Sequence, residues 1–147
     1  MTRAHYSVVQ ARWEHFEHKA DVGIRGYGAT PAEAFVQCAL ALTAVITDPT
    51  LVVPREPVAL ACAAPELDVL LLNFLDALLL EMDLKKMLFS RFDVQIVEGK
   101  LTATAWGEPV DIARHQPAVE VKAATYHALA VHQNADGSWV AQCVVDV

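Results

Sequence analysis

Residues 21–46, DVGIRGYGATPAEAFVQCALALTAVI, change hydrophobic period partway along, from the two residues of a strand to the 3.6 of an α-helix. In the first part Val22 and Ile24 fall on one face of an extended chain, with Arg25 and Tyr27 on the other. Gly23, Gly26 and Gly28 interrupt that strand, which predicts a bulge or the close approach of another backbone. The second part opens with a helix start. Thr30 is placed as N-cap, Pro31 at the first helical position and Glu33 three residues after the cap, forming a capping box. Ala34, Phe35, Cys38, Ala39, Leu42, Val45 and Ile46 then recur at helical spacing. Pro49 biases Asp48 away from helical angles, so the helix is expected to stop there, with Asp48 as a turn or capping residue.

Upstream, Trp13 to Gly28 reads as extended throughout, and residues 1–12 read as a weakly patterned N-terminal extension. Downstream, EPVALACAA alternates Val58, Leu60 and Cys62 as a short strand. A second helix is expected from near Pro65, striped by Leu67, Leu70, Leu71, Phe74, Leu75, Leu78 and Leu79. Its apolar residues exceed what one face requires, so it is expected to be the central, most buried helix. FDVQIV and LTATAW alternate and are joined by EGK, a hairpin. GEPVDIARHQP reads as a Pro-containing loop, and VEVKAATYHALAVHQ and WVAQCVVDV as two final strands joined by NADGS. This order predicts one α+β domain over residues 1–147, with two helices packed on mostly antiparallel sheet.

Composition narrows the function classes. The 147 residues are 54% hydrophobic and 20% charged, which suits a globule with a real core. The first residues hold no apolar signal-type run, and Asp68, Asn73, Asp76 and Glu81 interrupt the richest apolar stretch, so no membrane segment and a cytoplasmic location are expected. Cys38, Cys62 and Cys143 are widely spaced, without a C-x-x-C pair, and read as reduced thiols. The net charge of −7, without a Lys/Arg cluster, argues against direct, tight nucleic-acid binding and suits a basic protein partner or a hard cation.

Among candidate chemistries, His15 and His18 lie three apart on an extended segment and so point to opposite faces, which disfavours a shared zinc ion. No serine sits in a G-x-S-x-G elbow, and no phosphate-binding loop is present. His127 and His132 read as partly buried strand residues. Glu66, Asp68, Asp76, Glu81 and Asp83 read as the solvated face of the second helix. Asp146 stands out, because a charged group among Val144, Val145 and Val147 needs water, a cation or a hydrogen-bond partner. If the chain ends at Val147, its α-carboxylate adds a second anionic group, and a hard divalent cation would relieve the repulsion.

The segments HFEHKADVGIRGYGATPAEAF, LLNFLDALLLEMDLKKMLFSRFDV, GEPVDIARHQPAVEVKAATYH and VVDV, in this order, resemble the archease family from Trp13 onward. The H-x-A-D-V-G element and the E-V-K-A-x-T-Y-H strand are the most specific. The resemblance implies a non-catalytic partner of an RtcB-type RNA ligase. Such a partner promotes the ligase's guanylylation and multiple turnover in tRNA splicing or RNA repair. It also implies a divalent-cation site, calcium foremost with magnesium or manganese as alternatives, at Asp21, Asp146 and Val147. Lys19 stands where the family usually has Thr, Ala118 and Val119 where it has Gly-Thr, and Ala128 where Gly is common. A metal-dependent hydrolase, with His18 or His127 as general base, and a general chaperone-like module are the alternative readings.

Overall fold

The computed structural model describes residues 9–147. The chain runs β1 (Arg12–His18), β2 (Asp21–Gly28), α1 (Pro31–Ile46), a 3₁₀ turn (Pro49–Leu51), β3 (Glu56–Ala63), α2 (Leu67–Lys85), β4 (Met87–Val97), β5 (Lys100–Pro109), α3 (Ile112–His115), β6 (Ala123–Ala124), β7 (Ala130–Gln133) and β8 (Trp139–Asp146). The strands form two antiparallel sheets. One has the order β1-β2-β8, with β6 and β7 both pairing β8, and the other has the order β3-β5-β4. The expected α+β architecture holds. Most of the expected N-terminal extension lies outside the described residues.

Local chemistry explains the helices. The Thr30 hydroxyl accepts from Glu33 N–H at 3.1 Å, and the Glu33 carboxylate accepts from Ala29 N–H at 3.2 Å, closing the N-terminus of α1. Helix α1 ends at Ile46, and Asp48 caps the following turn by accepting from the Thr50 N–H and hydroxyl. Leu70, Leu71, Phe74, Leu75 and Leu78 of α2 are fully buried, each contributing about 1.5–3 kcal/mol of hydrophobic stabilisation. Both helices touch both sheets, so the inner faces of the two sheets share one core. The Phe35 and Phe74 rings join the helices at 6.1 Å, and Thr43 donates its hydroxyl to Phe89 O at 2.7 Å, tying α1 to β4.

Three expectations need correction. Trp13–Gly28 is a hairpin rather than one extended stretch, turning at Lys19 and Ala20 so that His18 pairs with Asp21. GEPVDIARHQP is structured: Gly107–Pro109 finish β5, and Ile112–His115 form α3, capped by the Asp111 carboxylate, which accepts from Arg114 N–H. Finally, VEVKAATYHALAVHQ is broken into β6 and β7, with the chain turning between them through Ala128 at φ +52°. That left-handed angle is one that glycine adopts far more readily than alanine. His127 and His132 are consequently exposed, not partly buried.

Candidate metal centre

The site begins at the β1–β2 turn. Strand alternation sends Glu14, Phe16 and His18 to the sheet face that also carries Asp21, Arg25 and Tyr27, as their register pairs require. His15 goes the other way, and its Nε2 lies 2.8 Å from Ala41 O on α1. The pair HFEH therefore does not share a ligand, as its spacing predicts. Farther along that outer face, Glu14 accepts from Arg25 and from the Tyr27 hydroxyl, each at 2.7 Å. These hydrogen bonds, Arg25 foremost, hold its carboxyl down at about 2.

Strand β2 pairs with β8 from Val22↔Val145 to Gly28↔Trp139. Pairing ends there; one further step of that register would set Asp21, the first residue of β2, opposite Asp146, the last of β8. Directly opposed antiparallel residues place their Cβ atoms about 4.5–5.5 Å apart, and like charges there repel. On its other side Asp146 pairs with Ala123, and its carbonyl accepts from Lys122 N–H at 2.8 Å. Asp21 is half-buried and Asp146 exposed. Among the described residues, neither side chain has an ion pair or a hydrogen bond, so both carboxylates are free to take a ligand. Val147 follows Asp146 and rests its side chain against the core, leaving only main-chain oxygen for the corner.

This oxygen-rich corner fits a hard cation by donor chemistry. It is not a closed cage: among the described residues, no three His, Cys, Asp or Glu side chains converge closely enough to enclose an ion. Sequence reasoning missed a second polar cluster. Glu108, 1% exposed, accepts from Val53 N–H, Arg55, Arg114 and His115. The available signal was the spacing of Glu108, Asp111, Arg114 and His115 in GEPVDIARH.

Two antiparallel sheets, three helices and an acidic strand-end corner define a small α+β domain. No described helix is long and apolar enough to cross a membrane. The model of the Archease protein family (MTH1598/TM1083) matches residues 13–147. Protein archease of Pyrococcus abyssi is 43% identical over 140 residues, covering 92% of this chain and 99% of that one. Its counterpart in Thermococcus gammatolerans is 42% identical over the same shares. The solution structure of Methanobacterium thermoautotrophicum protein 1598 superposes with a TM-score of 0.81 at 34% identity, covering 92% of this chain and 98% of that one. The crystal structure of a Thermotoga maritima archease, described as a possible chaperone, shares the fold with a TM-score of 0.61 at 19% identity, over 90% and 94% of the two chains. The chain belongs to the archease family.

Proposed function

We propose that this protein is a non-catalytic, cation-binding activator of an RtcB-type RNA ligase, acting in the cytoplasm in tRNA splicing or RNA repair. Asp21 and Asp146 would hold a divalent ion through their carboxylates and Val147 through main-chain oxygen, with calcium preferred and magnesium or manganese accepted. The observation that supports the reading is the β2–β8 register, whose next step beyond Val22↔Val145 would set Asp21 opposite Asp146. A bound ion would neutralise the opposed carboxylates and leave coordination positions open to oxygens of the ligase.

The test is ligase guanylylation with Asp21→Ala and Asp146→Ala protein. Each substitution is at a strand end and should leave the melting temperature unchanged within error. Each is expected to reduce the stimulation at least about tenfold, the loss produced by about 1.4 kcal/mol of coupling. Full stimulation by both variants would rule the cation role out. The chaperone reading draws on exposed apolar side chains, Leu80, Leu84 and Ile112, at 56%, 67% and 75% exposure. Suppression of aggregation of unrelated proteins, independent of the ligase, would favour it instead.

Lys19 offers a finer test of the same corner. Lys19 occupies the hairpin turn next to His18, and its backbone adopts φ +55°, which a lysine tolerates poorly. Lys19→Asn removes the charge and suits the left-handed angle. The variant is expected to bind calcium about twofold more tightly at low salt, an advantage that fades as salt screens the corner. It should also be about 1 kcal/mol more stable to urea. Equal affinities for variant and parent at low salt would remove Lys19 from the site's electrostatics.

A further inference from the structure

We propose that the groove between the C-terminal end of α2 and residues 117–121 docks a protein partner by strand addition. An extended segment of that partner would pair with the backbone of 117–121 and seat one bulky apolar side chain in the groove. A Lys or Arg next to that anchor would face Glu120. Neither Asp21, Asp146 nor Val147 lines this groove, so the proposal stands whether or not the carboxylate corner holds an ion.

Three observations converge. First, the groove is apolar and has room. Ile46, Leu79, Met82, Met87 and Leu88 line it, and each is less than one-tenth exposed. Its volume is about 210 Å³, whereas an apolar cavity of about 150 Å³ already accepts a benzene ring. One aromatic or leucine-sized side chain therefore fits, and the two methionines let the floor adapt to its shape. At the rim Val110 and Val119 are left 37% and 42% exposed, apolar surface that a seated segment would cover. Second, the chain beside the groove is pinned at both ends and unpaired between them. Ala118 N–H donates to Ile46 O and Lys122 N–H to Asp146 O, each at 2.8 Å. Among the described residues, the N–H groups of Val119, Glu120 and Val121 make no backbone hydrogen bond, and neither do the carbonyls from 118 to 121. A row of unpaired backbone groups held in place by the fold is a template for an added strand.

Third, charge selects the occupant. Asp83 at the rim is matched by Lys86 at 3.5 Å. Glu120 is exposed and, among the described residues, has no ion pair, so the rim keeps one unmatched carboxylate. A second copy of the chain would bring its own net charge of −7 against this surface. A basic segment is the complementary occupant. Alternation along an extended chain puts Val119 and Val121 on one side and Glu120 on the other. The residue opposite Glu120 on an added strand is thus the immediate neighbour of the one entering the groove, and opposed charges there attract. The recognised element is a bulky apolar residue with Lys or Arg beside it.

The experiment selects random peptides displayed on phage against the full chain, with counter-selection on Val119→Asp protein. The expected consensus sets a bulky apolar residue next to Lys or Arg. The synthetic consensus peptide should shift the amide resonances of 118–121 and the methyl resonances of Met82 and Met87. Alanine at its anchor, or N-methylation of alternate amides along its pairing edge, should weaken binding at least tenfold. Glu120→Lys should do the same, while Asp21→Asn should leave peptide affinity within twofold whatever it does to calcium. Val119 and Glu120 are both exposed, so their variants are expected to melt with the parent. An acidic or featureless consensus, or shifts away from the groove, would overturn the proposal. So would undiminished binding of the N-methylated peptide, which would make the groove a pocket for small apolar molecules. Self-association of the chain through the same amides, lost in Val119→Asp, would make a second copy the occupant and equally overturn it.

Discussion

Replacing Glu108 with glutamine is expected to lower the melting temperature by about 10 °C at neutral pH. Glu108 is the penultimate residue of β5, its side chain 1% exposed, and it gathers donors from two parts of the chain. Val53 N–H donates at 2.7 Å, Arg55 at 3.0 Å, and Arg114 forms a two-point pair at 2.7 and 2.8 Å. His115 completes the set at 2.9 Å. Asp111 N–H donates to His115 Nδ1 at 2.8 Å, so Nδ1 carries the lone pair and Nε2 carries the proton given to Glu108. Glutamine keeps one acceptor oxygen and brings an NH₂ group to face donors. The guanidinium of Arg114, 40% exposed, can turn to water, but the N–H of buried His115 cannot. The cost therefore falls mainly on unmatched buried donors rather than on an orphaned cation.

The pH dependence of stability follows from the same contacts. Hydrogen bonds from Arg114, then Val53, hold the Glu108 carboxyl well below the usual carboxylate range. A carboxyl whose folded value is depressed contributes fully above its unfolded value, and that contribution fades as pH falls toward the folded value. Glu14, held at about 2, acts in the same direction. The melting temperature of the parent protein should therefore decline between about pH 5 and pH 2. The profile of Glu108→Gln should be flatter over that interval, as measured by circular dichroism. Parallel profiles would mean that Glu108 is not the ionised hub described.

The parts of the fold legible in the sequence were those specified by neighbouring residues. Thr30, Pro31 and Glu33 announce α1 locally, and the Leu/Phe stripe of α2 needs no partner to be recognised. The Lys19–Ala20 turn was hidden because it carries neither glycine nor asparagine, although Lys19 adopts the left-handed angle those residues favour. The alternation of VEVKAATYHALAVHQ imitates one strand, whereas the chain turns at Ala128 and pairs as two short pieces along the same edge of β8. Of the candidate site, the residues alone singled out Asp146, and its pairing with Asp21 came only through the family resemblance. Whether Asp21 meets Asp146 depends on the register of strands from opposite ends of the chain, which alternation alone does not set.

Gly26→Ala is expected to cost at least about 3 kcal/mol of stability, near the upper end of what overpacking a core costs. The α-carbon of Gly26 faces the backbone of α1. A Cβ built there would lie 2.3 Å from both Ala34 O and Cys38 N, atoms that no side-chain rotation can move aside. The helix would have to lift from the sheet, loosening the Thr43–Phe89 and His15–Ala41 bonds with it. Gly137→Ala is the informative comparison. Its Cβ would meet nothing within 4 Å, but its φ is +90°, so its cost is backbone strain alone, about 1 kcal/mol. Urea unfolding of the two variants separates close approach from conformational freedom as the reason for glycine. If Gly137→Ala were the more damaging, the tight seat of α1 on β2 could not be what Gly26 provides. Calcium titration adds a second discrimination. Asp21 lies at the far end of β2, so folded Gly26→Ala protein should keep the parent affinity while the folded fraction falls. A loss of affinity per folded molecule would instead mean that the seating of α1 sets the geometry of the carboxylate corner.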